Sequence, residues 1–224
     1  MVFLAAYQDF IQRVEELGFL PMSNILLGYP SLGAETTPQL WHTGLETDPW
    51  QWKDRAAEEK QLAYGCILGG HKGFVSAQMY PVFYAAYHPS EPMPERWAAG
   101  TVNQVTWKLW GQFEEKRTIN TSQARKLLNV SVKKGASQVE TALKELQHYY
   151  YITVSGNMRK VSGDGHLYGW PSNQYTRVAD WLPESWIAEL NSWHRDEARE
   201  AILDAVVAVS KSLDRKAIAR VLGF

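Results

Sequence analysis

The order of elements predicted between residues 101 and 170 constrains the fold more than any other feature of the chain. Val102, Val105, Leu109 and Phe113 recur at helical spacing with Trp110 beside them, which predicts an amphipathic helix over 101–117. Ile119 sits in a brief extended piece. Asn120 or Thr121 then caps a short second helix that turns Ala124, Leu127 and Leu128 inward. Residues 129–134 read as a turn that closes at Gly135, and a third helix follows over 136–147 with Val139, Ala142, Leu143 and Leu146 on its buried side. The β-prone residues 150–154, the turn formers Ser155-Gly156-Asn157 and a return over 158–161 predict a hairpin. A flexible Ser162-Gly163-Asp164-Gly165 comes next, then an extended piece at 166–170. Helix, short strand, helix, turn, helix, hairpin is the order of a winged helix-turn-helix; the order and the short spacings carry the reading, not any one element. The expected fold class is α+β and helix-rich, with one or more winged helix-turn-helix units and small β-hairpin wings.

The flanks are less regular. Tyr7, Phe10, Ile11, Val14 and Leu17 predict a helix over 7–17, stopped by Gly18. Residues 22–39 read as an ordered loop. Asp48 is placed to cap a helix that begins at Pro49 and runs to about residue 63. The glycines at 65, 69, 70 and 73 predict turns with short extended pieces, and Ser76 could cap a helix through residue 86. Residues 88–94 are Pro-rich and mark a linker. Helices are expected over 186–193, 197–210 and 213–222. The expected organisation is an N-terminal helical, tryptophan-rich domain (1–94), a winged-helix domain (95–183) and a C-terminal helical segment (184–224).

Composition bounds the partners. A net charge of −1 excludes a polycation that coats nucleic acid indiscriminately, so any such binding must come from a local patch. That patch exists: residues 101–170 hold ten Lys and Arg against five Asp and Glu, while the residues before them hold six against eleven. In a helix-turn-helix the third helix enters the major groove N-terminus first. Lys133 and Lys134 immediately precede that helix, and Ser137 and Gln138 open it. Lysine suits phosphate as a point charge, and Gln can pair bidentately with adenine. Arg125, with Arg159 and Lys160 on the returning strand of the wing, adds further positive charge near the phosphates. The expected partner is duplex DNA. The competing reading is a set of ordinary solvated charges on a unit that docks other proteins. A single cysteine, Cys66, excludes an internal disulfide and any multi-thiolate zinc site, and reads as a buried, inert thiol. No apolar run is long enough to span a bilayer and no basic leader opens the chain, so a cytoplasmic location without membrane attachment is expected. The sequence leaves the oligomeric state open.

Trp41, His42, Glu46, Asp48, Trp50, Trp52, Lys53, Asp54 and Arg55 fall within fifteen positions. Trp41, His42, Trp50 and Trp52 can line a pocket whose aromatic faces stack with bases. Glu46 or Asp48 beside them can activate water or stabilise an oxocarbenium-like centre, as the acids of glycosidases do. Against this stands a structural reading: tryptophans supply core area, Asp48 caps the helix at Pro49, and His42 and His71 are hydrogen-bonded structural histidines. The glycines at 65–73 lack the Lys-Ser/Thr ending of a phosphate loop.

The stretch Leu40-Trp-His-Thr-Gly-Leu-Glu-Thr-Asp-Pro-Trp-Gln-Trp-Lys-Asp-Arg55 resembles the segment of AlkZ-type winged-helix DNA glycosylases that reads Gly-Leu-Gln-x-Gln-Asp-Pro before a short helix. The winged unit downstream, Tyr175-Thr-Arg-Val-Ala-Asp-Trp-Leu-Pro183 and the helical start at 198–223 are similar to that family's layout of tandem winged helices. More closely, the chain is similar to the bacterial group described as AlkZ-related. The resemblance implies hydrolysis of the N-glycosidic bond of alkylated or crosslinked nucleotides, with no metal or organic cofactor. In that family the two glutamines position the attacking water. Here the matching positions read Leu45-Glu46-Thr47 before Asp48-Pro49, so both glutamines are missing, and either Glu46 or Asp48 takes over or the activity is lost while the DNA-binding frame persists.

Overall fold

A computed structural model describes residues 3–130, 135–210 and 214–224. The chain forms two compact units: Met1–His88 together with Leu182–Phe224, and Pro89–Trp181.

In the first unit, α1 (Tyr7–Leu17) starts where the Asp9 carboxylate accepts the backbone N–H groups of Ala5 and Ala6, and it buries Tyr7, Phe10, Ile11 and Val14. Gly18, at φ 82°, ends it. Strands β1 (Phe19–Pro21), β2 (Leu62–Leu68) and β3 (His71–Ser76) form an antiparallel sheet in the order β1-β3-β2. The glycine-rich stretch, expected as turns with short extended pieces, is a hairpin of two longer strands. Gly69 and Gly70, at φ 60° and 82°, supply the two-residue turn with both φ positive that the twist of flanking strands favours. Cys66 stands half-buried on β2 and is not fully enclosed as expected.

Helix α2 (Pro49–Glu58) packs on this sheet and ends earlier than its sequence pattern predicts. Phe10 joins the layers: it stacks on Trp52 with centroids 5.7 Å apart and meets the edge of Phe74 at 4.8 Å. Helix α3 (Tyr80–Tyr87) begins later than Ser76, whose Oγ accepts the Met79 N–H in the preceding turn.

Residues 184–224, expected as a segment of their own, belong to this first unit. Helix α3 is apolar nearly all round and needs cover on more than one side. Ala198, Ile202, Leu203 and Val206 of a C-terminal helix (Arg195–Ser210) provide it. The last helix (Arg215–Leu222) is tied back by the Tyr87 hydroxyl, which donates to the Leu222 carbonyl at 2.8 Å. A Cβ at Gly69 would stand 2.3 Å from that same Leu222 oxygen. Gly69→Ala is therefore expected to destabilise by about 2–4 kcal/mol in urea unfolding, combining left-handed strain with a backbone clash. Gly100→Ala, at φ 72° with nothing within 4 Å, isolates the strain alone and should lose only about 1 kcal/mol.

The second unit opens with α4 (Met93–Ala98), where sequence predicts a linker and then an unassigned stretch. Helix α5 (Gln104–Glu115) is capped by Asn103, whose side chain accepts the Thr106 N–H. Strand β4 (Thr118–Asn120) leads into α6 (Thr121–Leu127) through a capping box in which Asn120 and Gln123 each accept the other's backbone N–H. Helix α7 (Ala136–His148) follows Gly135, held at φ 84°. Thr106 of α5 donates to Glu145 of α7 at 2.6 Å, a polar tie between two packed helices that bury Leu109 and Phe113 on one side and Val139 and Leu143 on the other.

Strands β5 (Ile152–Val161) and β6 (Leu167–Arg177) complete an antiparallel sheet in the order β4-β6-β5, and α8 (Val178–Trp181) closes the unit. The hairpin turn is not at Ser155-Gly156-Asn157. Strand β5 runs through those residues, and the register shift between Val154 and Gly156 marks a bulge. The chain reverses at 162–166, where Ser162 and His166 bond each other and Gly165 takes φ 86°. The hairpin is thereby longer than predicted and continues past Asn120, where β4 ends.

Candidate functional site

Two groups of residues carry chemistry, one in each unit.

The first is the loop that enters α2. Asp48 is fully buried and its carboxylate accepts three backbone N–H groups: His42 at 3.0 Å, Gly44 at 2.9 Å and Trp50 at 2.9 Å. One side chain thus caps α2 and pins the 42–48 loop to it. His42 is held at φ 62°, a conformation an L-residue adopts at a cost. The pinned loop leaves Glu46 exposed, 3.6 Å from the Arg55 guanidinium, while the Glu46 carbonyl accepts the Trp52 indole N–H at 2.8 Å.

Of the four expected pocket residues, three come together. The rings of His42 and Trp50 lie 4.9 Å apart and those of Trp41 and Trp50 6.5 Å apart, with His42 exposed and both tryptophans half-buried. Trp41 is fixed by its indole N–H on Thr36 Oγ1 at 3.0 Å. Trp52 turns inward and belongs to the core, 1 % exposed against Phe10.

Sequence reading gave Lys53 and Asp54 no role, yet both are buried. Lys53 Nζ is 2.5 Å from Asp54 Oδ1, 4.5 Å from the Trp50 ring centroid and 5.7 Å from that of Tyr64. Burial pushes the Lys53 ammonium below its ordinary range, outweighing the opposing pull of the Asp54 carboxylate. The available signal was the helical register: Lys53 lies four residues before Ala57 on the face that also buries Ala56.

The second group lies in the unit Pro89–Trp181. Ser137 and Gln138 are exposed in the first turn of α7. Arg125 is half-buried and paired with Glu140, so its charge is partly committed within the unit. Arg159 is exposed on β5, the outgoing strand of the hairpin and not the returning one, because the turn lies later than expected. Lys160 is on the same strand; its side chain, and Lys133 and Lys134 entirely, lie outside the described residues. The outer hairpin also exposes Met158 and Tyr168. Arg96 lies 4.6 Å over the ring of Tyr149, and Arg177 5.4 Å over that of Trp110. These partners come from elements far apart in sequence, which periodicity cannot join.

Among the described residues no group of three His, Cys, Asp or Glu could hold a metal ion, and no helix is long and apolar enough to cross a membrane.

The two units define a helix-rich protein of mixed α and β structure with two small antiparallel sheets, one basic segment and one aromatic–acidic loop. The chain belongs to the AlkZ-related family, whose sequence model matches residues 4–223. No curated protein and no solved structure gives a significant match. Family membership relates the chain to proteins of DNA glycosylase type.

Proposed function

We propose that the unit Pro89–Trp181 is a winged helix that binds duplex DNA, and that the loop before α2 carries a base-excision site in which Glu46 polarises the attacking water. The carrying observation is the topology: helix, short strand, helix, helix and hairpin in that order, with the short strand paired to the last strand of the sheet. In a helix-turn-helix the third helix meets the groove, and the same order of elements here supports that role for α7 with the hairpin beside it. The excess of cations in residues 101–170 and the AlkZ-related family support the same reading.

Within the site, the roles differ by burial. The carboxylate of Asp48 is spent on three backbone donors, so Asp48 positions the loop. Glu46 is exposed and free to approach substrate, 3.6 Å from the Arg55 guanidinium. A carboxylate acting as general base contributes about 10²–10⁴-fold. The half-exposed faces of Trp41 and Trp50 offer stacking to an unstacked base, worth about 1–3 kcal/mol per base.

The test is incubation of the full chain with duplex DNA carrying N7-alkylated purine, scored as abasic sites cleaved by alkali. The unaltered protein is expected to release the base and Glu46→Gln to lose about 10²-fold or more of that rate. No product over a broad panel of alkylated and crosslinked duplexes rejects the excision half of the proposal.

A further inference from the structure

The excision reading does not use the placement of Lys53, or of Asp54 beside it. Burying an ammonium is costly, and a buried ion pair is weak as a stabilising device compared with apolar residues of the same volume. The pair here is nonetheless enclosed: Lys53 and Asp54 are 3 % and 4 % exposed. Three features distinguish it from a structural pair. The amine lies against the face of Trp50, which is only half-buried and in ring contact with the exposed His42, so one aromatic ring separates Nζ from the accessible patch. Asp54 Oδ1, at 2.5 Å, is a ready acceptor for the ammonium proton. Burial already biases the amine toward its neutral, nucleophilic form.

We infer that Lys53 is a nucleophilic amine that condenses with the aldehyde of a ring-opened deoxyribose, as exposed when a base has left its sugar. This rests on the excision reading of the same site. The step balances without an external redox partner. The ammonium passes a proton to the Asp54 carboxylate, and the Nζ lone pair forms a bond to the aldehyde carbon. The carbonyl oxygen becomes the carbinolamine hydroxyl, then departs as water, taking back the proton held by Asp54 and leaving a C=N bond to Lys53. Displacement of the Trp50 ring opens the way in.

The experiment bypasses both base removal and DNA binding. The full chain is incubated with deoxyribose phosphate, and in parallel with a duplex containing one preformed abasic site, each with cyanoborohydride to reduce any imine to a stable secondary amine. Peptide mass mapping of the unaltered protein locates the adduct, so the result does not depend on a variant folding. The expected result is an adduct on Lys53 in at least one arm, formed faster than on the exposed Lys60 or Lys72, and reduced about tenfold or more by Lys53→Arg. Adducts confined to other lysines in both arms, or none at all, overturn the inference. The alkylated-duplex assay reports separately on base removal, so failure of one is not mistaken for failure of the other.

Discussion

Asp48→Ala is expected to destabilise the protein by about 3–4 kcal/mol, the largest loss of any single polar substitution in the loop. The arithmetic is local. Removing the N-cap of α2 costs about 1–2 kcal/mol. The N–H groups of His42 and Gly44 lose the Asp48 acceptor in a part-buried setting, adding about 1 kcal/mol each. Asp48→Asn should fall between the two: its amide oxygen can still accept from His42 and Trp50, but its NH₂ group would face the Gly44 N–H donor to donor. Urea unfolding of the three proteins checks the ranking. A loss below about 1 kcal/mol for Asp48→Ala would mean that the loop is held by something else.

The second large effect is on DNA. Lys133→Glu combined with Lys134→Glu replaces two cations that precede α7 in the sequence with two anions. Affinity for undamaged duplex is expected to fall about 10²-fold or more at moderate salt, and the slope of log K against log salt to shrink by about 2. Arg125→Ala should do much less, because Glu140 already occupies its guanidinium. Equal effects from the two changes, in a gel-shift or anisotropy titration, would contradict the proposed docking of α7 at the phosphates.

What was legible in the sequence was what local chemistry decides. Asp48 before Pro49 announced a helix cap, and the cap is there with two further donors that no pattern could supply. The periodic stripes of α1 and α7 were legible because each buries one face, whereas in α5 Leu109 and Phe113 are buried but Val102 precedes the Asn103 cap and Thr106 takes part of the buried face. The hairpin was misplaced because two segments carry turn residues. Ser155-Gly156-Asn157 and 162–165 compete on equal local terms, and the choice is made at a distance, by pairing Tyr175 with both Ile119 and Val154. The partner of α3 was invisible for a similar reason: an all-apolar helix says that it needs cover but not which helix brings it. Lys53 was the furthest from sequence reasoning. A lysine beside an aspartate reads as solvated, and the packing of α2 on β2 encloses it.

On the proposed function, the segment 101–170 presents a surface to a polyanion. The most direct test of this is the salt dependence of binding by the unaltered full chain to a plain duplex. The expected result is a linear fall of log K with log salt, with a slope of about −3 or steeper, as several phosphate contacts release their counterions. Binding that is undetectable at low salt, or a slope near zero, would contradict it.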